Sequence, residues 1–355
     1  TAEIVMYVLQ VLVIVLTRSF ALYLICRIIE AIIEWLLTDI VIRHKYCDVV
    51  HIKAKVDKST QVEIVKNIKA MFMHKIGGVL VSTIDSMIIS TFIGVVILGK
   101  YSNYTIIMTS MVGIISLFFT PLTSIVGHLC AEGNRENTYK YFNFFYGFNY
   151  VLGIIFFLGY YATIDNIVTL AFGNNLEMAK SISFIITLNQ FIQFMRKSVL
   201  LFRDASGTFY NDRWKPLAEG LSNLVLSIAL VKIFPEEYNV VGVIVATIIT
   251  TLLICDIVEP FVLFKHVFKK STKEFYLKNY GYMSLFTVCL FFLNALLRHY
   301  ENNVVEMFVN GFISLGISAI VCILLYFLDD DFRHGVQKSL VMIRTSLMKK
   351  RKREY

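Results

Sequence analysis

Ionisable side chains occur inside apolar stretches that are long enough to cross a membrane. In the stretch 19–42, Arg27, Glu30 and Glu34 are spaced by three and four residues, which places them along one side of a helix. A charge near the centre of such a helix costs at least about 2.5–3.5 kcal/mol, so it normally faces a protein interior or a water-filled cavity. In this arrangement Arg27 can pair with Glu30, and Glu34 remains available.

Other apolar stretches carry polar groups at helical spacing. These groups are Asp85; Asn189, Gln190, Gln193 and Arg196; Glu219 and Asn223; and Asp256 with Glu259. Pairing between helices that only stabilises a bundle explains any one of them, at under about 1 kcal/mol on average. A hydrated central cavity explains the whole set together. Without such a cavity, burying so many charges would cost more free energy than their pairing between helices returns.

The polar groups fall into two predicted roles. Arg27 and Arg196 suit an anionic substrate, because guanidinium matches the geometry of phosphate and stays charged. We expect amides near them to bind the same substrate, namely Asn189, Gln193 and Asn223. We expect the carboxylates to bind a cation or a proton that drives transport, namely Glu30, Glu34, Asp85, Glu219 and Asp256.

No pattern in the sequence indicates catalysis. The stretch from Gly94 to Lys100 is close to a phosphate-binding loop, but Tyr101 stands where the motif needs Ser or Thr to hold magnesium. The group His44, Cys47, Asp48 and His51 lacks the tighter paired spacing of four-ligand zinc sites. We therefore expect no catalytic residue, no metal and no cofactor, and a protein that is not an enzyme.

The composition indicates a helical membrane protein. Of 355 residues, 57% are hydrophobic and 17% are charged, against about 45–50% and 25% in soluble domains, and the mean hydropathy is +0.66. A soluble enzyme, a disordered chain and a disulfide-rich module are excluded, the last because six scattered Cys form no motif. The net charge of +8 would suggest nucleic-acid binding in a soluble protein. In a membrane protein, the excess of basic residues is expected in the cytoplasmic loops.

The apolar stretches predict an all-α bundle of about ten transmembrane spans: 4–17, 19–42, 76–98, 104–128, 141–161, 179–201, 216–234, 240–264, 279–298 and 304–327. Of the 34 Lys and Arg residues, 28 fall in the alternate connecting segments 43–75, 129–140, 196–215, 265–278 and 328–355. The positive-inside rule then places these segments, and both ends of the full spans, in the cytoplasm. Basic amphipathic helices are predicted at 59–75 and 332–353, where they would contact membrane lipids.

Three segments resemble bacterial polysaccharide-biosynthesis flippases. They are KNIKAMFMHKIGGVLVSTIDSMIISTFIGVVILGKYSNYTIIMTSM (66–111), FRDASGTFYNDRWKP (202–216) and WKPLAEGLSNLVLSIALVKIF (214–234) followed by GVIVATII (242–249). The family is that of the Wzx-type oligosaccharide flippases of the multidrug/oligosaccharidyl-lipid/polysaccharide exporter superfamily. The resemblance runs over about residues 1–330, and the pattern around Asp85 and Lys100–Tyr104 is its most specific part.

The resemblance implies two six-helix lobes that rock to expose a central cavity to either side of the cell membrane. The implied substrate is an undecaprenyl-diphosphate-linked oligosaccharide, moved to the outer leaflet for O-antigen, capsule or exopolysaccharide assembly, with a proton or sodium ion and a polysaccharide polymerase as further partners. The implied divisions are 1–42, the end of a first lobe; 43–75, a linker; 76–264, the second lobe; 265–327, two extra spans; and 328–355, a basic tail. About four amino-terminal helices of the family pattern are absent, and because the chain opens at Thr1 in an apolar stretch, we expect it to begin inside a longer protein.

Three other functions fit the composition. A multidrug or cation extruder of the same superfamily would use the aromatic content, 29 Phe and 19 Tyr, but Arg27 and Arg196 argue against it. A peptidoglycan-precursor flippase would share the fold and the anionic lipid substrate. A membrane-embedded transferase or scaffold is the third alternative, and the lack of a catalytic pattern argues against it.

Overall fold

The structure, a computed structural model, describes residues 2–45, 56–300, 303–334 and 336–337. Every regular element in this part of the chain is a helix, which confirms the predicted all-α class. The long helices are α1 (Ala2–Thr17), α2 (Phe20–Lys45), α3 (Lys58–Ile88), α4 (Val95–Phe119), α5 (Leu122–Ala131), α6 (Arg135–Phe172), α7 (Lys180–Met195), α8 (Lys197–Ala205), α9 (Lys215–Ile233), α10 (Asn239–Thr250), α11 (Asp256–Leu263), α12 (Lys273–Leu296) and α13 (Asn303–Leu328).

Short π-helical and 3-10 turns join or extend several of these helices. The π turns are Ile89–Ile93, Thr251–Cys255 and Phe264–Phe268, and the 3-10 turns are Asn174–Leu176, Thr208–Tyr210 and Glu236–Tyr238. The π turn at Thr251–Cys255 runs directly from α10 into α11, so the two form one rod with a local change of rotation. This change decides which side chains of α11 face the interior.

Six helices in the described residues are long and apolar enough to cross a membrane. They are Lys58–Ile93, Arg135–Phe172, Lys215–Ile233, Glu236–Phe268, Lys273–Leu296 and Asn303–Leu328. The bent pair Val95–Leu117 and Leu122–Ala131, inclined by 49°, adds a seventh if it forms one span. The chain is therefore compatible with a multi-pass membrane protein, and the predicted count of ten spans is not confirmed.

Three predicted spans do not meet the same standard. Helices α1 and α7 each contain 16 residues, or about 24 Å, which is short of the roughly 30 Å of hydrocarbon in a bilayer. The span predicted at 179–201 is interrupted at Arg196, where α7 gives way to α8. Helix α2 is long enough, with 26 residues, but it contains too many charged side chains, among them Arg27, Glu30 and Glu34, to meet the standard.

The chain divides into two compact units, Thr1–Ile64 and Val65–Tyr355. In the first unit, α1 and α2 form a helical hairpin that turns at Arg18 and Ser19. The buried amide of Gln10 donates a hydrogen bond of 2.6 Å to the Glu30 carboxylate across the hairpin. Most of its large apolar side chains are exposed, which suits helices surrounded by lipid.

The second unit is built around α6, whose 38 residues pack against α7, α12 and α13. Asn134 caps its start by accepting a hydrogen bond of 3.1 Å from the Asn137 amide. Aromatic side chains fill the interior next to it, and the rings of Phe191 and Phe286 stack with centroids 3.6 Å apart. Bulky apolar side chains cover much of the outer surface, as in a protein that faces hydrocarbon.

Helix boundaries differ from the predicted ones in two places. The third apolar stretch ends at Gly94, whose φ of 128° interrupts the helix, and Lys100 lies within α4 rather than in a loop. The amphipathic segment predicted at 59–75 is continuous with the following apolar stretch, because α3 has no break between Lys58 and Ile88. The segment 46–55 and most of the predicted tail helix lie outside the described residues.

Candidate functional site

A cavity of about 560 Å³ lies among the helices of the second unit. Its walls come from α3, α4, α7, α8 and α9, with one residue each from α10 and α11. The polar lining residues are His74, Ser82, Asp85, Ser86, Tyr101, Thr105, Thr109, Asn189, Gln190, Gln193, Arg196, Arg203, Lys215, Glu219, Thr247 and Glu259. Such a wall can hydrogen-bond a polar group that hydrocarbon would exclude.

Charges of both signs are paired at one part of this cavity. The guanidinium of Arg196 donates to both carboxylate oxygens of Glu259, at 3.0 Å and 2.6 Å. The Lys215 ammonium contacts Glu259 at 2.6 Å and Glu219 at 2.9 Å. A longer separation of 3.6 Å joins Arg196 to Glu219. The two cations and two carboxylates neutralise one another, which makes their burial tolerable.

Local features of four helices bring these charges together. Arg196 stands at the junction of α7 and α8. Lys215 begins α9 and is followed by Pro216, which suits the first turn of a helix, and Glu219 lies four residues on, on the same side. Glu259 precedes Pro260 in α11, directly after the π turn.

A second cluster of charges lies at Arg203. Its guanidinium contacts Asp212 at 2.9 Å and Asp204 at 2.8 Å. The ring of His74, on α3, lies 3.1 Å from Asp212 and 2.8 Å from the carbonyl oxygen of Phe209. These contacts attach α3 to the segment between α8 and α9. Because His74 and Arg203 also line the cavity, the cluster forms part of its boundary.

Asp85 differs from the other acids of the cavity because it forms no ion pair with any described residue. One of its oxygens accepts a hydrogen bond of 2.9 Å from the Thr247 hydroxyl. The same hydroxyl receives a bond of 2.8 Å from the Asn223 amide. Asn189 also lines the cavity, and its amide oxygen is buried without a hydrogen-bond partner.

The structure brings together five of the residues selected from the sequence, and these line the one cavity: Asp85, Asn189, Gln193, Arg196 and Glu219. Asn223 lies one hydrogen bond behind the wall, through Thr247. Asp256 is buried outside the lining, and one of its oxygens has no partner. The guanidinium of Arg196 is engaged by carboxylates rather than open, a pairing that the sequence did not predict.

The three charges of α2 that were selected from the sequence, Arg27, Glu30 and Glu34, lie in the other unit and do not line this cavity. The possible ion pair between Arg27 and Glu30 is not formed, since Glu30 accepts from Gln10 instead. Arg27 and Glu34 are exposed. Arg27 borders a shallow apolar groove with Leu24, Ile28, Ala31, Ile32 and Trp35.

Several important residues were not selected from the sequence. Lys215 and Arg203 lie in a segment assigned to the cytoplasmic side, where basic residues are common and carry little signal. The spacing of Lys215 and Glu219 is the one local clue to the pairing, because residues four apart on a helix are neighbours. Glu259 was noted only as a charge next to Asp256. No group of three metal-binding side chains occurs in the described part, and Cys47, Asp48 and His51 lie outside it.

Comparison with known proteins gives no match among protein-family models, curated proteins or solved structures. The resemblance to the exporter superfamily therefore stays a prediction from the sequence.

Proposed function

We propose that the protein is a membrane transporter that moves an undecaprenyl-diphosphate-linked oligosaccharide from the inner to the outer leaflet by alternating access. The observation that carries this proposal is the lining of the cavity. It combines neutral hydroxyl and amide groups with charges of both signs, inside helices whose outer surface is apolar. Such a lining replaces the water lost by a polar head, while the isoprenoid chain remains in the bilayer.

The neutral part of the wall suits the sugars. Hydroxyl and amide groups both donate and accept hydrogen bonds, as sugar hydroxyls do. Nine such side chains line the cavity: Ser82, Ser86, Tyr101, Thr105, Thr109, Asn189, Gln190, Gln193 and Thr247. A purely charged wall would be less suitable, because each unpaired charge would lose its hydration without a partner in the sugar.

The charged part of the wall suits a diphosphate that exchanges with a carboxylate. Glu219 is 3.6 Å from Arg196, which is longer than a hydrogen bond and leaves this the weakest contact of the cluster. A phosphate oxygen that replaces Glu219 would meet the guanidinium and the Lys215 ammonium together. Without substrate, the two cations and two carboxylates of the cluster already neutralise one another. We therefore expect the phosphate to displace Glu219 when the substrate binds.

Asp85 and Asp256 are the acids we assign to coupling with a proton or sodium ion. Neither forms an ion pair with a described residue. A carboxylate without a basic partner in an apolar bundle gains most from binding a cation or a proton. Replacing Asp85 with Asn should therefore change how export responds when the proton and sodium gradients are collapsed in turn.

The test is glycan export in cells that lack the gene. We expect surface polysaccharide to disappear and its lipid-linked repeat unit to accumulate on the inner leaflet, with recovery when the protein is restored. Normal surface polysaccharide in the deletion strain would contradict the proposal. Measuring the two leaflets separately distinguishes failed translocation from failed synthesis.

A cation extruder is the second candidate, and the state of Arg196 favours it. The residue that argued against this function is neutralised by Glu259. Asp85, which has no basic partner, could pair with an organic cation in the same cavity. Under this alternative, deletion of the gene raises sensitivity to cationic drugs and leaves the surface glycan unchanged.

A further inference from the structure

We infer that the Asp85 and Asn189 side of the cavity is a subsite for a protonated amino group on the transported sugar. The inference rests on the proposed function and adds a substrate class to it, amino-sugar-containing oligosaccharides. When such a substrate is bound, its ammonium group takes the place at Asp85 of the proton or sodium ion assigned to that residue. It follows from a comparison of the cationic hydrogen-bond donors of the cavity, which have partners within the protein, with two acceptors that have few or none.

The cationic donors of the cavity are already occupied. Arg196 donates to Glu259 and to Gln193, and Lys215 contacts Glu219 and Glu259. The third cation that lines the cavity, Arg203, donates its hydrogen bonds to Asp204 and Asp212. A ligand that depends on strong donors from the protein would have to displace one of these contacts.

Two acceptors among the lining residues are not saturated with hydrogen bonds. Asp85 receives one hydrogen bond, from Thr247, although an ionised carboxylate has room for about four. The amide oxygen of Asn189 receives none, and that residue is 3% exposed. A buried acceptor without a partner points to a group that the site is built to receive. The two residues come from different helices, α3 and α7, and both line the same cavity.

An ammonium group complements this surface better than the other groups of a sugar. It has three donors and a positive charge, whereas a hydroxyl or an acetamido group offers one neutral donor. A charged donor on a carboxylate is roughly twice as strong as a neutral hydrogen bond. The unpaired charge of Asp85 is also neutralised only by a cation. The expected order of binding is amine first, with acetamido and hydroxyl sugars clearly weaker.

Three matched trisaccharides test the order on the full chain in lipid nanodiscs, by titration calorimetry near neutral pH. The glucosamine trimer, its N-acetylated form and cellotriose share one backbone and differ at the substituent of each ring. We expect the amine trimer to bind about tenfold tighter than the other two, the ratio for a neutral hydrogen bond replaced by a charge-assisted one. Tetraphenylphosphonium, a cation without N–H donors, should not compete with it.

Two variants and one control assign the preference to this side of the cavity. Asp85→Asn keeps the shape and removes the charge, and should reduce the preference for the amine to within about twofold, as for neutral donors. Asn189→Leu should weaken binding of the amine trimer by removing the second acceptor. Glu237→Gln removes a carboxylate from the exposed turn between α9 and α10, and should leave the tenfold ratio unchanged.

Equal binding of the three trisaccharides would overturn the amine subsite and leave the proposed function standing, because the cavity would still accept oligosaccharide. Absence of binding by all three, or a preference that survives in Asp85→Asn, would also overturn it. Thermal stabilisation by sodium chloride over choline chloride at equal ionic strength, together with no response to the amine, would make Asp85 an inorganic cation site instead. Loss of surface glycan in the deletion strain tests the transport function separately from all of these.

Discussion

At the scale of single residues, Glu259 is the centre of the site. It contacts two cations from other helices, Arg196 from the α7–α8 junction and Lys215 from α9. Removing one partner of a buried ion pair leaves an uncompensated charge, whereas removing both leaves none. This difference separates the structural role of the pair from its role in binding a substrate.

Replacing Arg196 with Gln tests the pair. We expect Arg196→Gln to lower the free energy of unfolding by about 3 kcal/mol, at the lower end of the usual range because Lys215 still neutralises Glu259. The double variant Arg196→Gln/Glu259→Gln should recover most of this stability, measured by thermal unfolding in detergent. Export should stay lost in both variants if Arg196 binds the substrate. Export by the double variant would remove Arg196 from the transport mechanism.

At the scale of elements, α3 and α9 approach each other closely beside the cavity. A Cβ atom added at Gly77 would lie 2.3 Å from the Cβ of Pro216, and 2.9 Å from its carbonyl carbon. A Cβ added at the adjacent Gly78 would have nothing within 4 Å. The two glycines therefore differ sharply in what they tolerate, although they are neighbours in the same helix.

The glycine pair offers a matched test of this contact. Gly77→Ala must push α3 away from Pro216, and overpacking of this kind typically costs about 1–3 kcal/mol. Gly78→Ala should be neutral or stabilise by up to about 1 kcal/mol, because Ala is the better helix former. Thermal unfolding of the two purified variants measures both effects. Equal stability of the two would show that the helices are not in close contact at Gly77.

A second contact between elements attaches the end of α13 to α12. Asp329 lies 2.6 Å from the Lys278 ammonium and accepts hydrogen bonds from the Tyr282 hydroxyl and, at 3.0 Å, from the Phe332 amide. Burial alone would raise the pKa of Asp329, but the Lys278 charge and these hydrogen bonds together lower it below its ordinary value of 3.8. The ionised form is therefore the one that stabilises the fold.

This shift fixes the direction of a pH effect. The stability that Asp329 contributes is fully present above its ordinary pKa and is lost as pH falls through the lowered folded value. We expect Asp329→Asn to be less stable than the wild type at neutral pH by about 1.5–3 kcal/mol, the contribution of hydrogen bonds to a charged group. The difference should shrink in strong acid, as followed by denaturant unfolding over a pH series. A difference that is constant with pH would contradict the assignment.

At the scale of the whole molecule, the number of crossings and their direction determine which side the cavity serves. Six helices in the described residues can cross a membrane, or seven with the bent pair. The distribution of Lys and Arg predicts that the α11–α12 turn is cytoplasmic and that the α9–α10 turn is external. The orientation is a prediction that labelling can test directly.

Single cysteines at Glu237 and Ser271 report the two turns in a variant without the six native cysteines. Both positions are exposed. In intact cells, a maleimide that cannot cross the membrane should label Glu237→Cys and should label Ser271→Cys only after the cells are opened. The opposite pattern would reverse the orientation, and labelling of both from outside would mean that the rod of α10 and α11 does not cross.

The sequence alone determined the class of the protein, its helical elements and several residues of the cavity. Long apolar stretches leave backbone groups no partner but their own helix, so helices follow from local composition. Charges inside those stretches are costly, which is why Asp85, Asn189 and Arg196 could be selected without a structure. The count of ten spans stays a prediction, since local composition alone does not distinguish an apolar stretch that is interrupted at Arg196 or Pro121 from a continuous one.

Tertiary packing decided which charges from distant segments meet. Asp256 and Glu259 lie three residues apart, both near Pro260, and nothing local separates them. In the folded chain Glu259 lies beside Arg196, which is 63 positions away, while one oxygen of Asp256 remains without a partner. The rotation of α11 after the π turn and the packing of α7 and α9 against it determine this outcome. These depend on contacts between distant segments, which the spacing of residues along one helix does not encode.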